Sequence, residues 1–150
     1  ILEALLKKEP DNPTFNNDLG YIWADNNKNM DKCEQLVRKA LEEDRKLRAK
    51  AKEKVAADEP DDNASYLDSL GWVLFRKKQY QDALKPLQEA SRMEGGMNIE
   101  IYDHLADVLM ALGRKEEARK AYALGIELAS SSRRDQSKKI EVENKIKAIK

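Results

Sequence analysis

Apolar residues return along this chain at the spacing of one helix face. Between Ala64 and Met93, Leu67, Leu70 and Leu74 recur at helical intervals, and Ala83, Leu84, Leu87 and Ala90 do so again after a polar break. Between Ile99 and Ala129 the pattern returns as Tyr102, Leu105 and Leu109, then Ala118, Tyr122 and Ile126. Each segment therefore predicts two amphipathic helices joined by a short turn. Val, Thr and glycine-containing turns are few, which argues against a β-sandwich or barrel.

The two segments are copies of one pattern. Leu70-Gly71 and Leu105-Ala106 lie 35 residues apart, as do Ala83 and Ala118, and Leu87 and Tyr122. A third copy, Pro13 to Asp44, carries Leu19-Gly20 at the same place, 51 residues before Leu70-Gly71. The small residues have a physical task. Gly20, Gly71 and Ala106 fall where the two helices of a pair cross, with Cys33, Ala83 and Ala118 at the matching place on the second helix; a small side chain lets backbones approach. Punctuation agrees. Asn12-Pro13, Asp62 or Asn63, and Asn98 supply helix starts. Gly113 suits a helix end, and Gly95-Gly96 breaks the chain between the second and third copies. Pro86 disagrees: it sits inside a predicted helix, where it removes a hydrogen bond to the carbonyl of Asp82. A kink, or a helix that starts late, is expected there.

The motif Leu70-Gly71, Ala83, Leu87, Ala90, repeated as Leu105-Ala106, Ala118, Tyr122, Gly125, resembles the tetratricopeptide repeat, whose period is about 34 residues. The first copy matches as Leu19-Gly20, Cys33, Val37, Ala40 if its inter-helix turn is one residue longer. The tandem strings are similar to modules common in bacterial proteins. The resemblance covers residues 1–44 and 64–129, with Cys33 in place of Ala, and Gly95 and Ser130 where Pro is usual. It implies an all-α fold: a right-handed solenoid of antiparallel helix pairs with a C-terminal capping helix, about eight helices in all. The expected division is one domain over 1–150: a last helix of a preceding repeat at 1–10, repeats at 13–44, 63–95 and 98–130, a helical extension at 45–62, and the capping helix at 133–150. In the last, Val142, Ile146 and Ile149 share a face near Ile140; a terminal helix of this kind covers the apolar flank that an open array exposes.

The extension, from Arg45 to Asp62, is free of Gly and Pro up to Ala57 and rich in Ala and Lys. The second helix of the first repeat is expected to continue through it to Ala56 or Ala57. Three readings stand: a solvated helix, an arm for self-association (for which the exposed end of the array is the other expected surface), and a basic surface for an acidic partner or nucleic acid. Cationic residues at 45, 46, 48, 50, 52 and 54 suit phosphates, but no aromatics interleave them to stack bases.

Composition narrows the classes. The 150 residues include 28 basic and 28 acidic ones, so no global charge favours nucleic acid or membrane. One Cys excludes an internal disulfide framework and a Cys-based zinc site. No apolar run approaches a membrane span of roughly 18 residues. The chain opens on Ile1 and is expected to be part of a longer protein, so its compartment is not legible.

The resemblance also implies where binding occurs: the first helices of successive repeats line a concave groove. The positions carried over are Asn17, Tyr21 and Asp25 in the first repeat, Asp68, Trp72, Phe75 and Arg76 in the second, and Asp103, Asp107 and Met110 in the third. Trp72 and Phe75 read either as exposed apolar contacts for a ligand or, for Trp72, as packing between repeats. Asp68, Asp103 and Asp107 are expected to form a negative rim that favours a basic protein or peptide, and they argue against a clamp for a C-terminal carboxylate. No cofactor or metal is expected. His104 stands alone with scattered carboxylates, and Asp103 and His104, being adjacent, do not share a helix face, whereas Asp103 and Asp107 do. No nucleophile elbow, phosphate loop or metal motif is present. The expected function is non-catalytic binding of a peptide or protein segment.

Overall fold

A computed structural model describes residues 1–54 and 62–150. Among the described residues there are eight α-helices and no strand. They are α1 (Leu2–Lys8), α2 (Pro13–Asp25), α3 (Met30–Lys54), α4 (Ala64–Arg76), α5 (Tyr80–Arg92), α6 (Ile99–Ala111), α7 (Lys115–Leu128) and α8 (Arg133–Ala148), with one 3₁₀ turn at Glu94–Gly96. The expected run of α3 to Ala56 or Ala57 lies outside the described residues.

The asparagines start the first helix of each pair. Asn12 accepts from the Phe15 N–H, Asn63 from the Ser65 N–H and Asn98 from the Ile101 N–H, each satisfying a donor that the first turn leaves without a partner. The ends of α2, α4 and α6 share one device. The N–H of Lys28, Gln79 and Arg114 returns to the carbonyl of Trp23, Leu74 and Leu109 at 2.8–2.9 Å. That is the six-to-one bond of a Schellman cap. The cap needs a left-handed residue, and Asn27, Lys78 and Gly113 take it with φ of 53°, 63° and 75°. Only Gly113 does so without a Cβ penalty. The first turn, 26–29, is one residue longer than 77–79 and 112–114, as expected.

Helices pair as α2 with α3, α4 with α5 and α6 with α7. A Cβ built on Gly71 would lie 2.3 Å from Leu87 Cγ, and one on Gly20 would lie 2.7 Å from Val37 Cγ2. The crossing distance is thus set by glycine against a branched side chain. Cys33, Ala83, Ala106 and Ala118 are fully buried at these crossings. Cys33 Sγ donates to the Lys28 carbonyl at 3.1 Å, and burial raises its thiol pKa. Of the two outcomes expected at Pro86, the late start does not occur. Helix α5 runs from Tyr80 through a buried Pro86 to Arg92.

The pairs stack unevenly. Among the described residues, α4 packs directly against both α2 and α6, whereas α3, α5 and α7 make no comparable contact with one another. Close first helices and splayed second helices give the stack an inner row, α2–α4–α6, and an outer row. The splay opens a cleft of about 880 Å³ between α3 and α5, floored by Leu67, Leu70 and Leu74 of α4. Helix α8 closes the far end against α6 and α7. Val142 and Ile149 are buried there and Ile146 is partly so, but Ile140 points away, 62% exposed.

Candidate peptide-binding groove

Repeat spacing puts equivalent side chains side by side on the inner row. Asn17, Asp68 and Asp103 occupy one position on α2, α4 and α6; Tyr21, Trp72 and Asp107 occupy the next turn. The structure gives these six different fates.

The aromatic residues gather. The Trp72 ring stacks on His104 with centroids 4.4 Å apart and on Phe75 at 5.3 Å, both near parallel. Phe75 also meets Tyr80 at 5.5 Å, and Tyr21 lies 6.4 Å from His104. The two sequence readings of Trp72 therefore describe parts of one arrangement. It packs against the next repeat through His104 and remains partly exposed. Its indole Nε1–H is buried with no acceptor. Arg76 lies over the Trp72 ring at 5.6 Å and donates to Asn27 Oδ1 at 2.8 Å and to the Asp25 carbonyl at 3.3 Å. Asp25 is exposed at the rim of this cluster, and Met110 is partly buried.

The carboxylates do not form the open negative rim that the sequence suggested. Asp103 is only 1% exposed, and it binds the ammonium groups of Lys138 and Lys145 at 2.7 Å each. Asp107 takes Lys145 at 3.0 Å and accepts the Tyr122 hydroxyl at 2.6 Å. Asp68 is buried against His104, with Oδ1 2.8 Å from Nδ1. The reason is geometric: the inner face of each first helix is also the face on which the next helix leans. Charges placed there meet partners inside the fold. Burial alone would depress the Lys138 and Lys145 pKa values, yet the aspartates more than offset it and hold both above the ordinary lysine range. The Tyr21 and Tyr122 hydroxyls are pushed up by burial first, and then by neighbouring carboxylates.

Two features escaped the sequence reading. Lys138 and Lys145 lie seven residues apart on the side of α8 that carries Val142, a spacing that was legible in retrospect. The second feature is a cleft of about 630 Å³ at the start of the inner row, bordered by Asn17, Asp18, Tyr21, Asp68 and Glu100. Asn17 is 8% exposed; its Nδ2 donates to Asp18 Oδ1 at 3.3 Å, while its Oδ1 is buried without a donor.

Along α3, Arg45 pairs with Asp62, Lys46 with Glu42 and Glu43, and Arg48 with Asp44. Cations of the basic arm are thus engaged by acids, while Leu47 projects 54% exposed. Among the described residues no group of three His, Cys, Asp or Glu side chains is placed to hold a metal ion, and no helix is long and apolar enough to cross a membrane.

Comparison with known proteins agrees with the architecture. Two sequence models, each described as tetratricopeptide repeat, match residues 63–93 and 99–132. No curated protein matches the chain. Stacked helix pairs, small residues at each crossing and two matched segments converge on one conclusion: this chain carries tandem tetratricopeptide repeats at 63–93 and 99–132.

Proposed function

We propose that this chain, whose tetratricopeptide repeats are of a kind that generally mediates protein–protein interactions, is a non-catalytic scaffold that grips a peptide or protein segment on the inner row, across Tyr21, Asp25, Trp72, Phe75, Arg76 and Met110. The observation that supports the reading best is Trp72. It is a large, partly exposed aromatic, stacked into a fixed orientation. Phe75 and the exposed part of the Trp72 ring supply apolar area for a bound chain. Stacking on His104 and Phe75 fixes the ring before binding, which lowers the ordering cost.

Asn17, Asp68, Asp103 and Asp107 take other parts in this reading. Asp68, Asp103 and Asp107 brace the wall of the groove through His104, Lys138 and Lys145. Asn17 borders its first end. Self-association is the second reading, carried by exposed Leu47 on the α3 extension. It predicts a mass that rises with protein concentration and falls back in Leu47→Glu.

The test of groove binding starts from peptides selected on the wild-type protein from a display library. Their affinity is then measured for Tyr21→Ala and Arg76→Glu. Weakening by both variants, with the helical fold retained by circular dichroism at the binding temperature, supports the groove. Undiminished affinity in both removes it.

A further inference from the structure

His104 is the one histidine of the chain, and it stands between the interior and the inner face. On one side its Nδ1 lies 2.8 Å from Asp68 Oδ1, with both side chains buried at the junction of α4 and α6. On the other, its ring lies nearly parallel to the Trp72 indole, with centroids 4.4 Å apart. Trp72 is partly exposed and carries the stack outward to Phe75. A change of charge on His104 therefore acts directly on a side chain that reaches the surface.

The groups around the ring set its charge. From α4 comes Asp68, with Arg76 over the same indole at 5.6 Å; from α2 comes the Tyr21 ring, 6.4 Å away. On α6 itself Glu100, Asp103 and Asp107 add negative charge, and α8 answers them with Arg134, Lys138 and Lys145. The buried residues of α5 and α7 carry no charge. Burial opposes the imidazolium, but the carboxylates, Asp68 foremost, outweigh it and lift His104 above 6.5. Burial holds Cys33, Tyr21 and Tyr122 above their ordinary values of 9.0 and 10.0. None of these three titrates where the imidazole does.

We propose that protonation of His104 gates the inner row: the charged ring holds Trp72 in its binding orientation, and loss of the proton weakens the grip on a ligand. The inference rests on the reading of the inner row as a binding surface and adds its regulation by pH. Two effects give the sign. An imidazolium is drawn to the electron-rich indole face, and a neutral ring is drawn less. Neutral His104 also leaves the Asp68 carboxylate buried without a counter-ion, a costly state that favours opening the α4–α6 junction to water. Both loosen the stack and restore the ordering cost that a fixed Trp72 spares. Affinity is therefore greatest with His104 protonated and falls as pH rises through its folded value. Reciprocity requires that a bound ligand raise that value in turn.

The experiment follows the single imidazole and the Trp72 indole signal of the full chain by NMR as a function of pH. Calorimetry gives the affinity of a histidine-free peptide selected from a display library at pH 6. The imidazole and indole signals should share one midpoint. Affinity should be about tenfold lower at pH 9 than at pH 6, and saturating peptide should raise the midpoint by about one pH unit. Asp68→Asn removes the main counter-charge and should carry both the midpoint and the affinity step to lower pH, by about one to three pH units. In His104→Gln the affinity should not vary with pH. If neither variant folds, the effect of peptide on the wild-type midpoint decides. A midpoint that peptide leaves in place, an affinity step that stays put in Asp68→Asn, or one that persists in His104→Gln overturns the proposal. An affinity independent of pH that still depends on Tyr21 and Arg76 removes the gate and leaves the groove standing. Affinity that ignores Tyr21→Ala and Arg76→Glu removes the groove and the gate with it.

Discussion

Asp68 on α4 and His104 on α6 meet at 2.8 Å in the interior, joining two repeats through one oxygen and one ring nitrogen. Burial alone lowers the imidazole pKa, but the Asp68 charge and hydrogen bond, aided by Asp103 and Glu100, outweigh it and raise the His104 value above its ordinary 6.5. A raised folded value means that protonation favours the folded state. The stabilisation is fully present below pH 6.5 and is lost as pH rises through the raised folded value. The melting temperature of wild type relative to His104→Gln should therefore be greater at pH 6 than at pH 9. A difference independent of pH would show that His104 contributes packing alone.

Lys145 tests the capping helix. It bridges Asp103 and Asp107 while Lys138 holds the other Asp103 oxygen. Lys145→Ala strips one charged partner from a buried carboxylate, and a loss of about 2–3 kcal/mol in unfolding free energy is expected. Urea denaturation measures it. Hydrogen exchange adds a local readout, with the α8 amides, 133–148, losing protection before those of α4.

Gly71 tests the helix crossing. A methyl group there meets Leu87 Cγ at 2.3 Å, so Gly71→Ala should destabilise by about 1–3 kcal/mol despite the better helix propensity of alanine. Gly71→Ala combined with Leu87→Ala should cost less than the sum of the two single changes, because the smaller partner makes room. Strict additivity in thermal or urea melts would contradict the crossing geometry.

The helix pairs were legible because their cause is local. Leucine spacing, asparagine caps and the Gly71–Ala83 match act within one repeat. Even the longer first turn followed from aligning Leu19-Gly20 with Leu70-Gly71. The Schellman caps were half legible: Gly113 announces one, whereas Asn27 and Lys78 adopt the same left-handed backbone without glycine. The site was harder to read. Consecutive residues on a helix point in directions about 100° apart, so His104 turns towards α4 while its neighbour Asp103 turns towards α8. Whether a carboxylate on the inner row is open or answered depends on the residue the next helix brings, 36 positions on for Asp68 and 42 for Asp103. Nothing in the local pattern carries that information. The shared face of Asp103 and Asp107 was legible, but not the lysine that occupies it.

Arg76 offers a further check on the rim. Its guanidinium ties α4 to the turn after α2 through Asn27 and the Asp25 carbonyl. It is partly exposed, so Arg76→Ala should lower stability by less than about 1 kcal/mol. Trp72 emission should still change, because the cation over its ring is removed. Unchanged fluorescence would place the two side chains apart in solution.

Hydrogen exchange with and without a display-selected peptide asks most directly which face of the stack receives a ligand. Protection that rises in α2, α4 and α6, centred on Tyr21 and Trp72, with α3, α5 and α7 unchanged, is the expected result. Protection confined to the outer helices, or to the cleft between α3 and α5, would contradict it.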